Sequence, residues 1–120
     1  MLHTDLHEIE TAAELEKMIA ENENVMVCCG RMGPMCIPVY DIMEELEEEH
    51  TDVKFAVMSF DTPEAGIIRN DSSCYGFMGL PFTMYYKNGK VAKATSSIQN
   101  MQQVTSILEE QFSTSNVENA

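Results

Sequence analysis

The sequence has 120 residues, of which 44% are hydrophobic and 22% are charged. This composition is typical of one globular domain rather than of a disordered chain. Its 20 acidic residues against 7 basic ones give a net charge of −13, which argues against nucleic acid and anionic membranes as partners. No apolar run approaches the roughly 20 residues that cross a bilayer, and the start, "MLHTDLHEIE", lacks the pattern of a secretory signal. We therefore expect a cytoplasmic protein with a single domain over residues 1–112 and a disordered tail over residues 113–120.

The first half of the chain predicts alternating strands and helices. A short strand near residues 5–9 precedes a helix that starts at Thr11, where Glu14 completes a capping box. The apolar run at residues 25–29 is typical of a buried central strand. A second helix could start as late as Pro38, because proline fits only the first turn of a helix. Its apolar stripe consists of Val39, Ile42, Met43 and Leu46.

The second half predicts a third buried strand at residues 52–61, a short helix at residues 63–72 and a hairpin. Asn88-Gly89 between two alternating segments is typical of a type I′ hairpin turn. A helix over residues 100–112 ends the domain, and its apolar stripe is Val104, Ile107, Leu108 and Phe112. Parallel crossovers followed by an antiparallel hairpin predict an α/β fold. We expect a three-layer α/β/α sandwich with a mixed central sheet of four to five strands and helices on both faces.

Three of the four cysteines lie in "VCCGRMGPMC", residues 27–36. No Cys-x-x-Cys pair exists in the chain, so a zinc knuckle has no ligand set. A chain without an export signal is also not expected to carry a structural disulfide framework. The fourth cysteine, Cys74, is predicted to be an ordinary core or helix-end residue.

Three segments resemble the thioredoxin family. "GRMGPMC" resembles its active-site turn, in which Trp-Cys-Gly-Pro-Cys joins the central strand to the next helix. "GLPFTMYYKNGK" resembles a later segment in which a cis-proline precedes a strand and a Lys-Asn-Gly turn, and "FDTPEA" resembles the acidic residue and short helix after the third strand. The match covers roughly residues 5–112. It implies the thioredoxin fold, a cis bond between Leu80 and Pro81, and a substrate segment that lies extended along Leu80.

The resemblance allows two registers for the active-site turn. Aligned on Gly-Pro, the turn has Met32 and Met35 at the two cysteine positions, and a thioether has no proton to lose, so neither can supply a thiolate. Aligned on the helical stripe, Cys36 takes the place of the resolving cysteine and Gly33 that of the nucleophile. We favour the second register because Cys36 lies one turn before the inward stripe.

The favoured hypothesis is a thiol-disulfide oxidoreductase with a non-standard Cys-x6-Cys site formed by Cys36 and Cys29. Side chains alternate along a strand, so one of Cys28 and Cys29 can approach Cys36, and Cys29 is closer to the turn. The amides at a helix N-terminus would favour the Cys36 thiolate. The site needs no metal or other cofactor. The resemblance implies a protein disulfide or thiol as substrate, an electron donor similar to thioredoxin reductase, and substrate contacts from Met32, Gly33, Pro34, Met35, Leu80 and Pro81.

Two other classes of function stay open. The first is a redox-inactive adaptor, which would bind a partner through an apolar patch of Met32, Met35, Met78, Leu80 and Phe82. The second is a copper(I) protein, whose soft donors would be Cys29, Met32, Met35 and Cys36, with Met78 as a further donor. The histidines are scattered and are expected at the surface rather than in a metal site; they are His3, His7 and His50.

Overall fold

The computed structural model describes residues 2–112, and the predicted tail at residues 113–120 lies outside this range. The strands are β1 (His7–Ile9), β2 (Asn24–Gly30), β3 (Lys54–Ser59), β4 (Phe82–Lys87) and β5 (Lys90–Ser96). The helices are α1 (Ala12–Glu21), α2 (Ile37–Glu49), α3 (Gly66–Arg69) and α4 (Met101–Phe112). No helix within the described range is long and apolar enough to cross a membrane.

The five strands form one mixed sheet in the order β1-β3-β2-β4-β5. β3 pairs in parallel with β1 and β2, whereas β4 pairs antiparallel with β2 and β5. β2 is buried along its whole length at the centre of the sheet, as its continuous apolar run predicts. The predicted α/β/α sandwich with a mixed sheet is therefore confirmed.

Each face of the sheet is covered by two helices. α2 and α4 pack on one face, where Met26 and Cys28 of β2 point. α1 and α3 pack on the other face, together with Val27 and Cys29. Because side chains alternate along a strand, neighbouring residues of β2 belong to different core layers. This alternation decides which cysteines can meet.

Local sequence signals account for the ends of several elements. Thr11 Oγ1 accepts a hydrogen bond from Glu14 N at 3.0 Å, so Thr11 caps α1 as predicted. The Glu14 carboxylate, however, accepts from the amide of Glu10 rather than from that of Thr11. In the hairpin, Asn88 and Gly89 have φ angles of 54° and 84°, which are the positive values that a type I′ turn requires.

The predicted helix at residues 63–72 is wrong as a single element. The segment contains a 3₁₀ turn at Pro63–Ala65, the one-turn helix α3, and a second 3₁₀ turn at Ser72–Cys74. The Asp71 carboxylate accepts the amide of Ser73 at 2.9 Å. Such a local side-chain bond offers the backbone an alternative to continuing a helix.

Candidate active site

A tight turn joins β2 to α2 and carries the site. The amides of Cys36 and Ile37 both donate to the carbonyl of Gly33, at 3.1 and 3.0 Å. α2 then begins at Ile37 with Cys36 as its N-cap and Pro38 in its first turn, a position that proline tolerates. The sequence therefore places Cys36 at the start of this helix correctly.

Arg31 points out of the turn. Its guanidinium donates two hydrogen bonds to the Asp61 carboxylate, at 2.9 and 2.8 Å, and lies 5.5 Å from the centroid of the Phe60 ring. The bonds from Arg31 hold the pKa of the Asp61 carboxyl below its usual value. Asp61 comes from "FDTPEA", so this segment resembling thioredoxins lies next to the turn.

The Cys36 sulfur lies in a closely packed position between β2 and Pro81. Its Sγ accepts the backbone amide of Arg31 at 3.4 Å, and Cys36 is only 2% exposed. A Cβ atom at Gly30 would lie 2.8 Å from Cys36 Sγ, 2.8 Å from Tyr40 Oη and 3.0 Å from Pro81 Cβ. Glycine at position 30 thus creates the space that the sulfur occupies.

The segment before β4 completes this edge of the sheet. The peptide bond between Leu80 and Pro81 is cis, the isomer that the sequence predicts. The amide of Ser97 donates to the carbonyls of Gly79 and Pro81, at 3.1 and 3.0 Å. Pro81 is buried and Leu80 is half-buried, so Leu80 is the more accessible residue of this predicted pair.

The structure does not bring Cys29 to Cys36. Cys29 lies in the core layer of α1 and α3, whereas Cys36 and Cys28 lie in the layer of α2 and α4. The prediction of Cys29 as partner relied on its proximity to the turn along the chain, but the alternation of the strand points it to the wrong face. All four cysteines are buried and free, and Cys28 is the thiol on the same face as Cys36.

Sequence reasoning missed Thr83. This fully buried residue of β4 pairs with Cys28 across the sheet, and its hydroxyl lies 3.8 Å from Cys28 Sγ, in position to donate a hydrogen bond. The signal in the sequence is a single hydroxyl within the otherwise apolar start of β4. On the opposite face, Cys74 Sγ lies 3.6 Å from Met84 Sδ, so Cys74 is a core residue, as expected.

Burial shifts the ionisation of three of the thiols. Desolvation raises the pKa of Cys28 far above its ordinary range, although the hydrogen bond from Thr83 partly opposes this effect. It also raises the pKa of Cys29 to about 12, with Arg69 opposing the shift, and the pKa of Cys74 is raised for the same reason. Since only a thiolate is nucleophilic, none of these three is poised to attack a substrate near neutral pH.

Methionines occupy the outer surface of the turn. Met32 and Met35 are 38% and 44% exposed, and Pro34 between them is also exposed, with Gly33 half-buried. Met78, on the loop before the cis-proline, is 94% exposed. Three members of the predicted patch, Met32, Met35 and Met78, are thus exposed, whereas Phe82 is buried between the rings of Phe60 and Phe77.

The donors predicted for copper are not assembled. Cys29 lies across the sheet from Cys36, so the two cannot serve the same ion in this arrangement. Within residues 2–112, no group of three or more His, Cys, Asp or Glu side chains is placed to hold a metal. His3 and His7 are exposed and His50 is half-buried, and His7 pairs with Glu14 at 2.5 Å.

Thioredoxins of known structure share this architecture. A thioredoxin of Plasmodium falciparum superposes with a TM-score of 0.71 at 21% identity, covering 88% of this chain and 99% of the other. Thioredoxin f2 of Chlamydomonas reinhardtii gives 0.73 at 14% identity over 89% and 96%. The oxidised mitochondrial thioredoxin 3 of Saccharomyces cerevisiae gives 0.72 at 17% identity over 88% and 94%. No family model and no curated protein matches the sequence. The chain thus has the thioredoxin fold, which agrees with the resemblance seen in the sequence.

Proposed function

We propose that this protein is a thioredoxin-like thiol-disulfide oxidoreductase whose reactive thiol is Cys36. The observation that supports the proposal is the position of the Cys36 sulfur, which lies at the N-terminus of α2 and beside Pro81. The dipole of α2 favours an anionic sulfur at its N-terminus, and the backbone amide of Arg31 donates to Cys36 Sγ. The thioredoxin fold of the chain is consistent with this chemistry, although a fold by itself does not fix a function.

Cys28 is the partner thiol in this proposal. Cys28 and Gly30 lie on the same face of β2, separated by about 6.6 Å along the strand, and the Cys36 sulfur occupies the space over Gly30. A disulfide requires Cα atoms within about 7 Å. We therefore expect the bond to close when the turn at residues 31–36 and the start of α2 shift towards Cys28.

The reaction consists of two exchanges. The Cys36 thiolate attacks one sulfur of a partner disulfide, so the Cys36–partner bond forms, the partner's own S–S bond breaks, and the released sulfur takes up a proton. Cys28 Sγ then attacks Cys36 Sγ, so the Cys28–Cys36 bond forms and the Cys36–partner bond breaks. The proton of Cys28 passes to the departing partner sulfur, which releases the partner as a dithiol. Two electrons pass from the thiol pair to the partner. A dithiol donor, similar to thioredoxin reductase, regenerates the pair.

Because both sulfurs are buried, the reaction requires the turn that covers Cys36 to move. With Cys36 only 2% exposed, a bulky protein disulfide reaches it only when the turn at residues 31–36 opens. The partner segment would lie extended along Leu80 and pack against the apolar surface of the turn, Met32, Gly33, Pro34 and Met35. Binding at this surface is the step that would favour opening of the turn.

Single cysteine variants test the proposal in a dithiothreitol-driven reduction of the insulin disulfides. Cys36→Ser is expected to abolish the catalysed rate, because no other thiol lies at the helix start. Cys28→Ser is expected to accumulate a mixed disulfide on Cys36, visible by mass spectrometry. Cys29→Ser is the matched control, equally buried but on the other face, and should keep the wild-type rate. An unchanged rate in Cys36→Ser, with circular dichroism showing a folded protein, would refute the assignment.

A second function, a redox-inactive adaptor, is favoured by one specific observation. Met32 and Met35 are exposed on the turn, whereas all four thiols are buried. Flexible methionines make adaptable binding surfaces, so the same face could bind a partner without reacting with it. The adaptor is supported if wild-type protein reduces no disulfide but binds a cysteine-free partner segment that Met35→Ala fails to bind.

A further inference from the structure

An open groove separates α2 from the loop that precedes α4. It has a volume of about 490 Å³, within the range of ligand pockets in proteins. Pro38, Asp41 and Ile42 line its α2 side, and Ile98 and Met101 line the opposite side. We call this feature the α2–α4 groove. Its surface is mostly apolar, and Ile98 is 43% exposed to solvent.

The wall formed by the loop and α4 is held in place by hydrogen bonds. The Asn100 side chain accepts the amide of Gln103, and the Gln103 side chain accepts the amide of Asn100, both at 2.8 Å. Ser97 has a φ of 71°, which is uncommon for a residue with a Cβ atom, and its amide binds the carbonyls of Gly79 and Pro81. Ile98 is therefore fixed in its exposed position, next to the cis-proline segment.

The charge at the groove is negative. Asp41 is the charged residue among those lining it, and no lysine or arginine lines it. The Asp41 carboxylate makes no ion pair or hydrogen bond within residues 2–112. Glu45 and Glu48 are exposed one and two turns further along α2, so the side of the groove formed by α2 continues into an acidic surface.

We infer that the α2–α4 groove binds a short segment of a partner protein in which an apolar side chain lies next to a lysine or arginine. The apolar side chain packs against Ile42, Ile98 and Met101, which removes the exposed surface of Ile98 from water. The cation pairs with Asp41 at the rim, in the field of Glu45 and of a chain with a net charge of −13. This inference goes beyond the proposed function, since no step of it uses Cys36.

The test uses an acetylated, cysteine-free hexapeptide of alternating leucine and lysine, titrated into ¹⁵N-labelled protein. Binding should shift the amide signals of residues 39–42 and 98–103 and should weaken as salt is added. Asp41→Asn should lower the affinity about threefold, the size expected of an exposed ion pair. Ile98→Ser should lower it about tenfold, because a largely buried apolar contact is lost.

Two matched variants separate a specific site from general attraction. Glu16→Gln removes the same charge from the opposite face of the molecule, and Tyr75→Ser removes another exposed apolar side chain; neither should change the affinity. Equal losses in Glu16→Gln and Asp41→Asn, or signal shifts centred on α1, would overturn the inference. Cys36→Ser should bind the peptide as the wild type does. Binding with no disulfide reduction would refute only the proposed chemistry, and reduction with no binding would refute only the groove.

Discussion

At the scale of single residues, Gly30 is the point at which β2, Cys36 and Pro81 meet. The atoms that a Cβ would touch are a sulfur, a hydroxyl oxygen and a proline ring. The Tyr40 hydroxyl donates to the carbonyl of Arg31 at 3.0 Å, and this hydrogen bond holds the hydroxyl in its position near Gly30. Moving the sulfur or the hydroxyl away from the added Cβ would break a hydrogen bond. Moving the proline ring would displace the cis-proline segment. Gly30 is therefore a packing requirement of the site rather than a turn residue.

Gly30→Ala should destabilise the protein by about 1–3 kcal/mol, the usual cost of overpacking a filled core. The measurement is urea unfolding followed by circular dichroism. Gly33→Ala is the matched control, because nothing lies within 4 Å of the Cβ that it would add, and its effect should stay within about 0.5 kcal/mol. Equal stability of the two variants would show that the Cys36 sulfur has more freedom than the structure gives it.

Sequence reasoning predicted part of this site and missed part of it for a physical reason. The thiol at the start of α2 follows from Pro38 and the apolar stripe, and the cis-proline follows from the thioredoxin-like segment. The face to which Cys29 points does not follow, because alternation gives two opposite faces without saying which helices cover each. The face towards which Cys29 points depends on where α2 packs against the sheet, and this packing is a tertiary contact. Gly30 and Thr83 were missed for the same reason.

At the scale of elements, the turn and α2 use methionine in two different environments. Met35 is 44% exposed on the turn, whereas Met43, two turns into α2, is fully buried against the sheet. The same helical stripe that predicts α2 also predicts Met43 as core. Met35 lies outside the stripe, so the sequence alone is compatible with a core position, a metal donor or a binding surface. The exposure of Met35 in the structure is consistent with a binding surface and not with a core position.

Met35→Ala should change the free energy of unfolding by less than about 0.5 kcal/mol, because an exposed side chain loses little packing. Met43→Ala, the comparison on the same segment, should cost about 2–5 kcal/mol from the cavity that it leaves. Both values come from urea unfolding under identical conditions. A loss of several kcal/mol in Met35→Ala would identify that methionine as core and would remove it from the binding surface.

The secondary structure was predictable wherever a local signal determines it. The Asn88-Gly89 turn, the Thr11 cap and the central strand were all predicted from a few adjacent residues. The helix predicted at residues 63–72 failed because the Asp71 side chain caps a second short turn instead of continuing α3. The local sequence pattern is sufficient to predict an element that has one strong signal. It is not sufficient for a segment such as residues 63–72, where a helical pattern and a turn-forming side chain compete.

At the scale of the whole molecule, the sheet separates the thiols into two buried layers. Cys28 and Cys36 lie with α2 and α4, and Cys29 and Cys74 lie with α1 and α3. Burial keeps at least Cys28, Cys29 and Cys74 neutral in the folded state at a pH at which they would ionise in water. The folded protein thus holds protons that the unfolded chain would release in alkaline solution.

This difference predicts that the protein loses stability in alkali. Above the ordinary thiol pKa of about 9, the unfolded chain ionises its cysteines, while the folded chain keeps Cys28 and Cys29 protonated and the raised pKa of Cys74 delays its ionisation. The unfolded state then binds fewer protons, so the free energy of unfolding falls as the pH rises, by up to ~1.4 kcal/mol per pH unit for each thiol.

Urea unfolding in the presence of a phosphine reductant, from about pH 7 to about pH 10, measures this slope. The variant Cys28→Ala/Cys29→Ala, which removes two of the three groups, should show a clearly shallower decline above pH 9 even if it starts from a lower stability. A wild-type stability that stays level across this range, or an identical slope in the variant, would mean that these sulfurs are reached by water and are not the buried, neutral thiols described above.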